Sequence, residues 1–325
     1  MSADGGLELL VLSGVEVRAL LDRRALLDAL ADGFRALEAG DVQTPPRPQI
    51  STPHGFTLSM PAWAPGGPIG VKQVSVFDGN AAHGLPTHVA LITLLDPVTG
   101  APVCVMDGTV VTALRTAGAA MVAARLAARP KARRAVIVGA GVQGAEHAAY
   151  LPIALPGIEQ FTVSSQHAAN AERLAALHAD ASAVSDAGGL ERAVRAADVV
   201  FLCSGSAAPV IDAAWVRPGT HVSSVGYAPP AGELPVELAR SGRLLVETMA
   251  AFEPTPVGCG ELAGVDPADA LTLGAALASG GPAARRRADE ITVYKAMGTA
   301  MEDLVGAALA HRAALASGVG HRIRL

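Results

Sequence analysis

The chain has 325 residues, of which half are hydrophobic and only 3% aromatic, and it carries a formal net charge of -5 with an isoelectric point near 6.0. This length favours two domains, while the scarcity of aromatic residues and of basic runs argues against a protein that binds nucleic acid by stacking bases. No segment approaches the roughly 20 uninterrupted apolar residues of a membrane span, so we expect a soluble protein.

The first hundred residues predict helix packed with antiparallel sheet. After a short strand pattern at Leu7 to Leu12, apolar residues at helical spacing predict an amphipathic helix over Asp22 to Leu37. Several prolines then exclude helix. Three segments bounded by Gly, Pro and Asn predict strands: "GFTLSMPAW", "IGVKQVSVF" and "HVALITLLD".

From Thr109 the pattern changes to a long Ala-rich helix that ends at Pro130, and strands then alternate with helices, as in a doubly wound parallel sheet. A loop is predicted at Ala275 to Ala284, and a last helix at Thr299 to Ala316. The density of Val and Ile predicts strands at Ala135 to Val138, Phe161 to Ser164, Val199 to Cys203, Val222 to Val225, Leu244 to Glu247 and Ile291 to Tyr294.

A glycine-rich turn follows the first of these strands. Gly139, Gly141 and Gly144 form a G-x-G-x-x-G pattern between a strand and a helix. The first glycine allows a tight turn, the second lets a pyrophosphate approach the backbone, and the third lets helix and strand pack closely. A glycine turn without a ligand is the alternative, but the strand, helix and further strands favour dinucleotide binding.

The end of the next strand bears on the choice of cofactor. An NAD site usually carries Asp or Glu there, where it binds the ribose 2′-hydroxyl. This chain has Ser164, Ser165 and Gln166 instead, followed by His167. No carboxylate would repel a 2′-phosphate, so NADP(H) is favoured over NAD(H), although no arginine is present to bind that phosphate.

Three cysteines, Cys104, Cys203 and Cys259, lie far apart and follow no metal-ligand spacing. The first two sit inside apolar runs, where a small buried thiol is a more common role than a nucleophile, and we assign them no chemistry. A reducing cytoplasm fits this cysteine usage best. We therefore predict a cytoplasmic protein without a metal site.

The segment that leads into the glycine turn resembles the ornithine cyclodeaminase/mu-crystallin family: "GAPVCVMDGTVVTALRTAGAAMVAARLAARPKARRAVIVGAGVQG". Further similarity lies in "TPPRPQI", "MPAW", "IGVKQVSVF" and "ITVYKAMGTAMEDL", and thus spans nearly the whole chain. The resemblance implies an α+β substrate-binding and dimerisation domain, residues 1–117 plus 299–325, with a Rossmann domain of α/β structure, residues 118–298, inserted in it. It also implies a homodimer formed through the first domain.

The resemblance further implies roles for individual residues. Arg47 and Arg115 match arginines that hold a substrate carboxylate, and Lys72 matches the active-site lysine. Met60 is predicted to line the substrate pocket. Family cofactor contacts are matched by Thr116, Gly139, Gly141, Val142 and Gln143. We predict further cofactor contacts at Gly144, Ser164, Ser165, Ser204, Val225 and Gly226.

The residue pattern supports part of this assignment. Lys72 shares its strand face with Val74 and Val76, which directs its side chain toward an apolar interior. The alternative is a lysine at a sheet edge that guards against aggregation. Arg115 lies on an apolar helix face, where it either snorkels to the surface or meets a carboxylate with its planar fork.

One departure from the family bears on the reaction. The family's cyclodeaminases carry an Asp with a proton-transfer role where this chain has Ala228, directly after Tyr227. Alanine cannot transfer a proton. Unless Glu233, Asp107 or another carboxylate substitutes, ornithine cyclisation with loss of ammonia is disfavoured.

We therefore predict an NAD(P)H-dependent oxidoreductase that acts on the carbon–nitrogen bond of a small imino or amino acid. Ketimine reductase, pyrroline-2-carboxylate reductase and amino-acid dehydrogenase are the activities that fit, with Lys72 giving a proton to the nitrogen as hydride reaches Cα. The alternatives are a deaminating cyclase, an opine-like dehydrogenase, and a crystallin-like binding protein without turnover.

Overall fold

A computed structural model describes residues 6–255, 257–281 and 283–325 of the chain. The chain forms two compact units. Unit 1 comprises Met1–Arg115 and Thr299–Leu325, and unit 2 comprises Thr116–Gly298.

Helices and strands are numbered along the chain. The α-helices are α1 (Gly14–Leu20), α2 (Arg23–Glu38), α3 (Gly108–Ala127), α4 (Val142–Ala154), α5 (Ala168–Ala175), α6 (Ala187–Ala196), α7 (Val236–Ser241), α8 (Leu273–Ala278) and α9 (Ala300–Ser317). The strands are β1 (Glu8–Leu12), β2 (Gln49–Thr52), β3 (Gly55–Trp63), β4 (Ile69–Val76), β5 (His88–Leu95), β6 (Pro102–Asp107), β7 (Arg134–Val138), β8 (Gln160–Ser164), β9 (Ala181–Val184), β10 (Val199–Leu202), β11 (His221–Ser224), β12 (Arg243–Val246), β13 (Ala270–Thr272), β14 (Thr292–Lys295) and β15 (His321–Arg324). Short 3-10 helices lie at Asp78–His83, Ala213–Trp215, Met249–Phe252, Gly260–Leu262 and Pro267–Asp269.

Unit 1 is an α+β structure built on one seven-stranded sheet of order β15-β1-β6-β5-β4-β3-β2. Neighbouring strands are antiparallel except β1 and β6, which are parallel. Helix α9 packs against β3, β4 and β5 and against α2. The buried face of α2 carries Leu26, Leu27, Leu30 and Phe34 at helical spacing, which confirms the predicted amphipathic helix.

Unit 2 is a Rossmann unit with an eight-stranded, wholly parallel sheet of order β13-β12-β14-β11-β10-β7-β8-β9. All four residues of β10 are buried, as expected for a strand covered on both faces. Strands β7, β8 and β9 run outward in one direction, and β10 starts again on the other side of β7. This switch point confirms the predicted doubly wound α/β fold, in which ligands bind at the carboxyl ends of the strands.

Helix α3 is the one helix in the described part of the chain that is long and apolar enough to cross a membrane. Within its most apolar stretch, 78% of the residues are buried inside the protein. A core helix of a folded domain passes the same test of length and composition.

The loop predicted at residues 275–284 is wrong over its first part. Helix α8 runs through Ala278, and the Thr272 hydroxyl caps its amino end by accepting a hydrogen bond from the Ala275 N–H. The side chains of Leu273, Ala276 and Leu277 are buried, so packing stabilises a helix that the Ala/Gly/Pro composition concealed. Pro282, in the same predicted loop, lies outside the described residues.

Candidate functional site

Unit 1 buries a lysine in the middle of its sheet. Lys72 lies on β4, which is paired on both sides, and its side chain is only 2% exposed. Its Nζ lies 2.6 Å from Asp303 Oδ2 on α9 and 3.5 Å from the Thr112 hydroxyl on α3. The inward direction predicted from strand alternation is therefore confirmed, and the sheet-edge alternative is wrong.

Arg115 joins the same cluster from α3. Its Nε donates to Asp303 Oδ1 at 2.9 Å, and its Nη1 donates to Glu302 Oε2 at 3.1 Å. The residue is 5% exposed, so it does not snorkel to the surface. Asp303 thus bridges Lys72 and Arg115, one cation on each carboxylate oxygen.

Sequence reasoning missed the two carboxylates of this cluster. Glu302 and Asp303 lie in the first turn of α9, where negative charge is stabilised by the helix dipole. Thr299 caps that turn in a capping box, with its N–H donating to Glu302 Oε1 at 2.7 Å. The T-x-x-E signal was visible in the sequence, but nothing in the spacing indicated that these side chains face Lys72 and Arg115.

Electrostatics within the cluster favour proton transfer at Lys72. Burial lowers the pKa of the Lys72 ammonium to about 8, with a further lowering by Arg115 and an opposing effect of Asp303. Burial alone would raise the pKa of Asp303, but Arg115 and Lys72 outweigh it and the net shift is downward. Burial, Lys72 and Arg115 together lower the pKa of nearby His88 to about 4, so its imidazole is neutral near pH 7.

Strand register places Met60 beside Lys72. Met60 on β3 is the cross-strand partner of Lys72 and is buried. On the other side of β3, Gln49 pairs with Leu58, and the Ser59 N–H donates to Pro48 O at 3.1 Å. Arg47 lies two residues before β2 and is half-buried, and its position relative to Lys72 stays a prediction.

Unit 2 carries a turn whose glycines match the three roles of a dinucleotide fingerprint. Gly139 has φ of +115°, which only glycine adopts readily. A Cβ on Gly144 would lie 1.9 Å from the Gly139 carbonyl oxygen, whereas a Cβ on Gly141 would meet no described atom within 4 Å. Gly141 therefore leaves open space at the start of α4, where Val142 and Gln143 follow and a pyrophosphate would bind.

A crevice of about 730 Å³ lies along the carboxyl ends of the strands in unit 2. It is lined by Gly139 and Gly141 of the glycine turn, by Ser164 at the end of β8, and by Ser204 after β10. Ser165, Gln166 and His167, which follow β8, also line it. Asp186 also lines it, but its Oδ1 accepts the Gly189 N–H at 2.7 Å as the cap of α6. Three other residues are predicted to contact cofactor: Val225 and Gly226 follow β11, and Thr116, which is buried, is the first residue of unit 2.

The carboxylates named as substitutes for the missing aspartate are already engaged. Glu233 is fully buried and accepts four hydrogen bonds from Ser204, Ser224 and Gly226. Asp107 accepts the Val110 N–H at 2.8 Å at the start of α3. Neither arrangement favours Glu233 or Asp107 as a proton carrier in place of an aspartate at Ala228.

The cysteines offer no nucleophile. Cys104, Cys203 and Cys259 are buried and free. Burial raises the pKa of the Cys104 and Cys259 thiols to about 12 and also raises that of Cys203. All three therefore remain protonated near neutral pH.

Comparison with known proteins identifies relatives over the whole length of the chain. Residues 8–318 match the model of the ornithine cyclodeaminase/mu-crystallin family. The chain is 37% identical over 290 residues to the Delta(1)-pyrroline-2-carboxylate reductase of Paracoccus denitrificans, covering 84% of this chain and 89% of that protein. The structure of the Thermococcus litoralis Delta(1)-pyrroline-2-carboxylate reductase in complex with NADH and L-proline superposes with a TM-score of 0.88 at 31% identity, covering 97% of this chain and 100% of that one. An archaeal alanine dehydrogenase dimer with bound NAD gives a TM-score of 0.90 at 29% identity, with 98% and 99% coverage.

Proposed function

The chain belongs to the ornithine cyclodeaminase/mu-crystallin family, and we propose that it is an NAD(P)H-dependent reductase of the C=N bond in a small imino acid. The observation that carries this proposal is the buried Lys72, whose ammonium lies 2.6 Å from Asp303 Oδ2 and whose pKa burial lowers to about 8. A buried ammonium poised near neutral pH suits a proton donor. Pyrroline-2-carboxylate or a related cyclic ketimine carboxylate is the substrate class that fits.

Lys72 supplies the proton in the proposed reaction. A bound reduced nicotinamide supplies hydride to Cα. As the C=N double bond is reduced, the nitrogen takes a proton from the Lys72 ammonium, which leaves a neutral amine that solvent reprotonates. The neutral form of Lys72 is accessible because burial disfavours its charge, while Asp303 keeps enough of the ammonium present at neutral pH.

We propose that Arg47 and Arg115 hold the substrate carboxylate, and the charge of the buried cluster bears on this proposal. The buried cluster contains two cations, Lys72 and Arg115, and two carboxylates, Glu302 and Asp303, so it has no formal net charge. A substrate carboxylate added to this cluster needs a further cation, since an unpaired charge is costly in a buried site. The family resemblance gives Arg47 as that cation, and the planar forks of two arginines would fix the direction of the carboxylate.

The test is NADPH consumption, followed by absorbance, with pyrroline-2-carboxylate, a larger cyclic ketimine carboxylate, and pyruvate with ammonia. We expect turnover with at least one cyclic imino acid. Ornithine serves as the control, because a cyclodeaminase would release ammonia from it without net consumption of NADPH. Ammonia release from ornithine, or cofactor binding without turnover of any substrate, would contradict the proposal.

We further propose that NADP(H) is favoured over NAD(H). The support lies after β8, where Ser165, Gln166 and His167 line the crevice and none of the three is a carboxylate. The Asp186 carboxylate in the same crevice is committed in part to capping α6. The two solved relatives hold NADH and NAD, so the choice needs a direct comparison. Fluorescence titration with NADPH and NADH decides it, and a tenfold preference for NADH would refute it.

We propose a homodimer formed through unit 1. On β5 the side chains of Val89 and Leu91 point away from the core and are 41% and 46% exposed. They border a groove of about 700 Å³ on the open face of the sheet, and apolar side chains grouped in this way mark an interface. Leu91→Asp should yield a monomer by light scattering. Val98→Asp, at a 90% exposed position outside that groove, is the matched control and should leave the dimer intact.

We also propose that the protein works in a reducing compartment, the cytoplasm. Three buried free thiols support this, because no disulfide contributes to the fold among the described residues. The test is unfolding with and without a reductant, which should give the same stability.

A further inference from the structure

In unit 2, one carboxylate ties together the ends of two neighbouring strands. Glu233 Oε2 accepts the Ser204 N–H at 2.6 Å and the Ser204 hydroxyl at 2.7 Å, just after β10. Its Oε1 accepts the Gly226 N–H at 2.7 Å and the Ser224 hydroxyl at 3.0 Å, at the end of β11. A buried carboxylate with four donors has its hydrogen-bonding capacity filled, so Glu233 fixes both strand ends at once.

A second buried charge holds the β11 end from the opposite side. Lys295, at the end of β14, is fully buried and donates to the Gly226 carbonyl at 2.6 Å and to the Ser224 hydroxyl at 3.1 Å. Its counter-ion is Glu261, with Nζ 2.5 Å from Oε2. Glu261 in turn accepts the Leu234 N–H at 2.8 Å, next to Glu233 in the chain. The backbone of Gly226 is therefore held at its N–H by Glu233 and at its C=O by Lys295.

Close backbone approach shows how tightly this region is packed. A Cβ on Gly226 would lie 2.2 Å from the Ser204 carbonyl oxygen, so the two strand ends touch without room for a side chain. A Cβ on Gly232 would lie 2.2 Å from the Glu261 carboxyl carbon. The side chains of Glu233 and Glu261 are therefore closely packed against the backbone and do not lie in a hydrated cleft.

The strand order identifies which part of a dinucleotide these ends would face. The glycine turn after β7 and the ribose-binding position after β8 assign the adenosine half to β7, β8 and β9. The other mononucleotide-binding half begins at β10 on the far side of the switch point and includes β11 and β14. The ends carrying Ser204 and Gly226 therefore belong to the nicotinamide half.

We propose that Glu233, together with the Lys295–Glu261 pair, is a positioning device that sets the nicotinamide-binding backbone at Ser204 and Gly226 without touching the substrate. This inference rests on the proposed function, since it presumes that unit 2 binds NADPH. Glu233, Lys295 and Glu261 have no part in the proton transfer or the substrate binding proposed above. Burying them is costly, and holding two strand ends in register is the role that their contacts describe.

The test compares whole cofactor with a fragment that lacks nicotinamide. In Glu233→Gln the shape is kept, but the amide NH₂ cannot accept the hydrogen bonds that one carboxylate oxygen receives. We expect its Kd for NADPH to rise about tenfold or more, while its Kd for 2′-phospho-ADP-ribose stays within about twofold of wild type. Both are measured by calorimetry on the full chain.

Asp198→Asn is the matched control. Asp198 is also a buried carboxylate that accepts backbone N–H groups, from Arg133 at 2.7 Å and Arg134 at 3.1 Å, but it precedes β10 and so lies at the amino edge of the same sheet. Its substitution likewise replaces a carboxylate that accepts backbone N–H groups, here together with its ion pairs to Arg129 and Arg217, at the edge where no dinucleotide binds. We expect equal, small changes in affinity for NADPH and for the fragment.

If Glu233→Gln does not fold, the double variant Lys295→Met/Glu261→Met replaces both members of the ion pair by apolar groups, which is often tolerated where removal of one partner is not. It frees the Gly226 carbonyl and should show the same selective loss of NADPH affinity. Equal weakening of NADPH and fragment, or no change in either, would overturn the inference. Wild-type protein that binds neither compound would overturn the proposed function itself.

Discussion

Replacing Lys72 by methionine perturbs the proposed proton donor most sharply. Methionine keeps an unbranched apolar stem against β3 and β5 and removes only the ammonium. General acid catalysis contributes a factor of about 10² to 10⁴, so the turnover number should fall by roughly a hundredfold or more. Affinity for NADPH should not change, because every residue of the predicted phosphate turn is untouched.

The stability of Lys72→Met follows from the pKa of the buried ammonium. A pKa of about 8 in place of 10.5 means that the fold holds the ammonium at a net cost of roughly 3 kcal/mol near neutral pH, and this net cost already includes the attraction of Asp303. The substitution removes this cost, and Arg115 still pairs with Asp303 at 2.9 Å. The variant should therefore fold, with a free energy of unfolding no lower than that of wild type.

The sign of the pH dependence provides an internal check. The pKa of Lys72 is lower in the folded state than in the unfolded state, so its destabilising effect is fully present below about pH 8 and disappears as pH rises toward 10.5. Wild type should gain stability over this window relative to Lys72→Met. Turnover of wild type should fall above about pH 8, as the proton donor is lost. Steady-state kinetics and denaturant unfolding across pH measure both, and near-normal turnover in Lys72→Met would refute the mechanism.

Three further predictions test other parts of the site. Asp303→Asn removes a group that raises the pKa of Lys72, so the decline in turnover should move to a pH below about 8; an unmoved profile would count against the pairing. Arg47→Lys keeps the charge but loses the planar fork, so KM for the imino acid should rise by about tenfold or more in steady-state assays, and an unchanged KM would remove Arg47 from the site. Gly141→Ala should fold normally yet lose NADPH affinity by titration, because its Cβ enters open space, whereas Gly144→Ala should destabilise the protein in thermal unfolding because its Cβ meets a carbonyl at 1.9 Å. Tight NADPH binding by Gly141→Ala would contradict the assignment of the turn.

The fold was predictable where a periodic pattern is long enough to read. Alternation in β3, β4 and β5, helical spacing in α2, and runs of Val and Ile in the parallel sheet all predicted the elements found. The short strands β9 and β13 escaped prediction because so short a segment shows no period and, unlike β10 or β11, neither lies in a predicted apolar run. Their pairing partners, which stabilise them, lie in other parts of the chain.

The candidate site, too, was predictable only where a local pattern in the sequence indicates it. The burial of Lys72 followed from strand alternation, and the three glycines of the turn followed from their spacing. The pairing of Arg115 with Asp303 did not, because 188 positions separate them and no local pattern links residues at that distance. Glu233 was considered as a proton carrier, and only its four hydrogen bonds indicate a positioning role instead.

The most direct test of the proposed reaction is the fate of the hydride. Incubation of wild-type protein with pyrroline-2-carboxylate and NADPH deuterated at the transferable position should give proline that carries one deuterium at Cα, detected by mass spectrometry and NMR. Proline without deuterium, or consumption of ornithine with release of ammonia in place of imine reduction, would contradict hydride transfer to Cα as the activity of this chain.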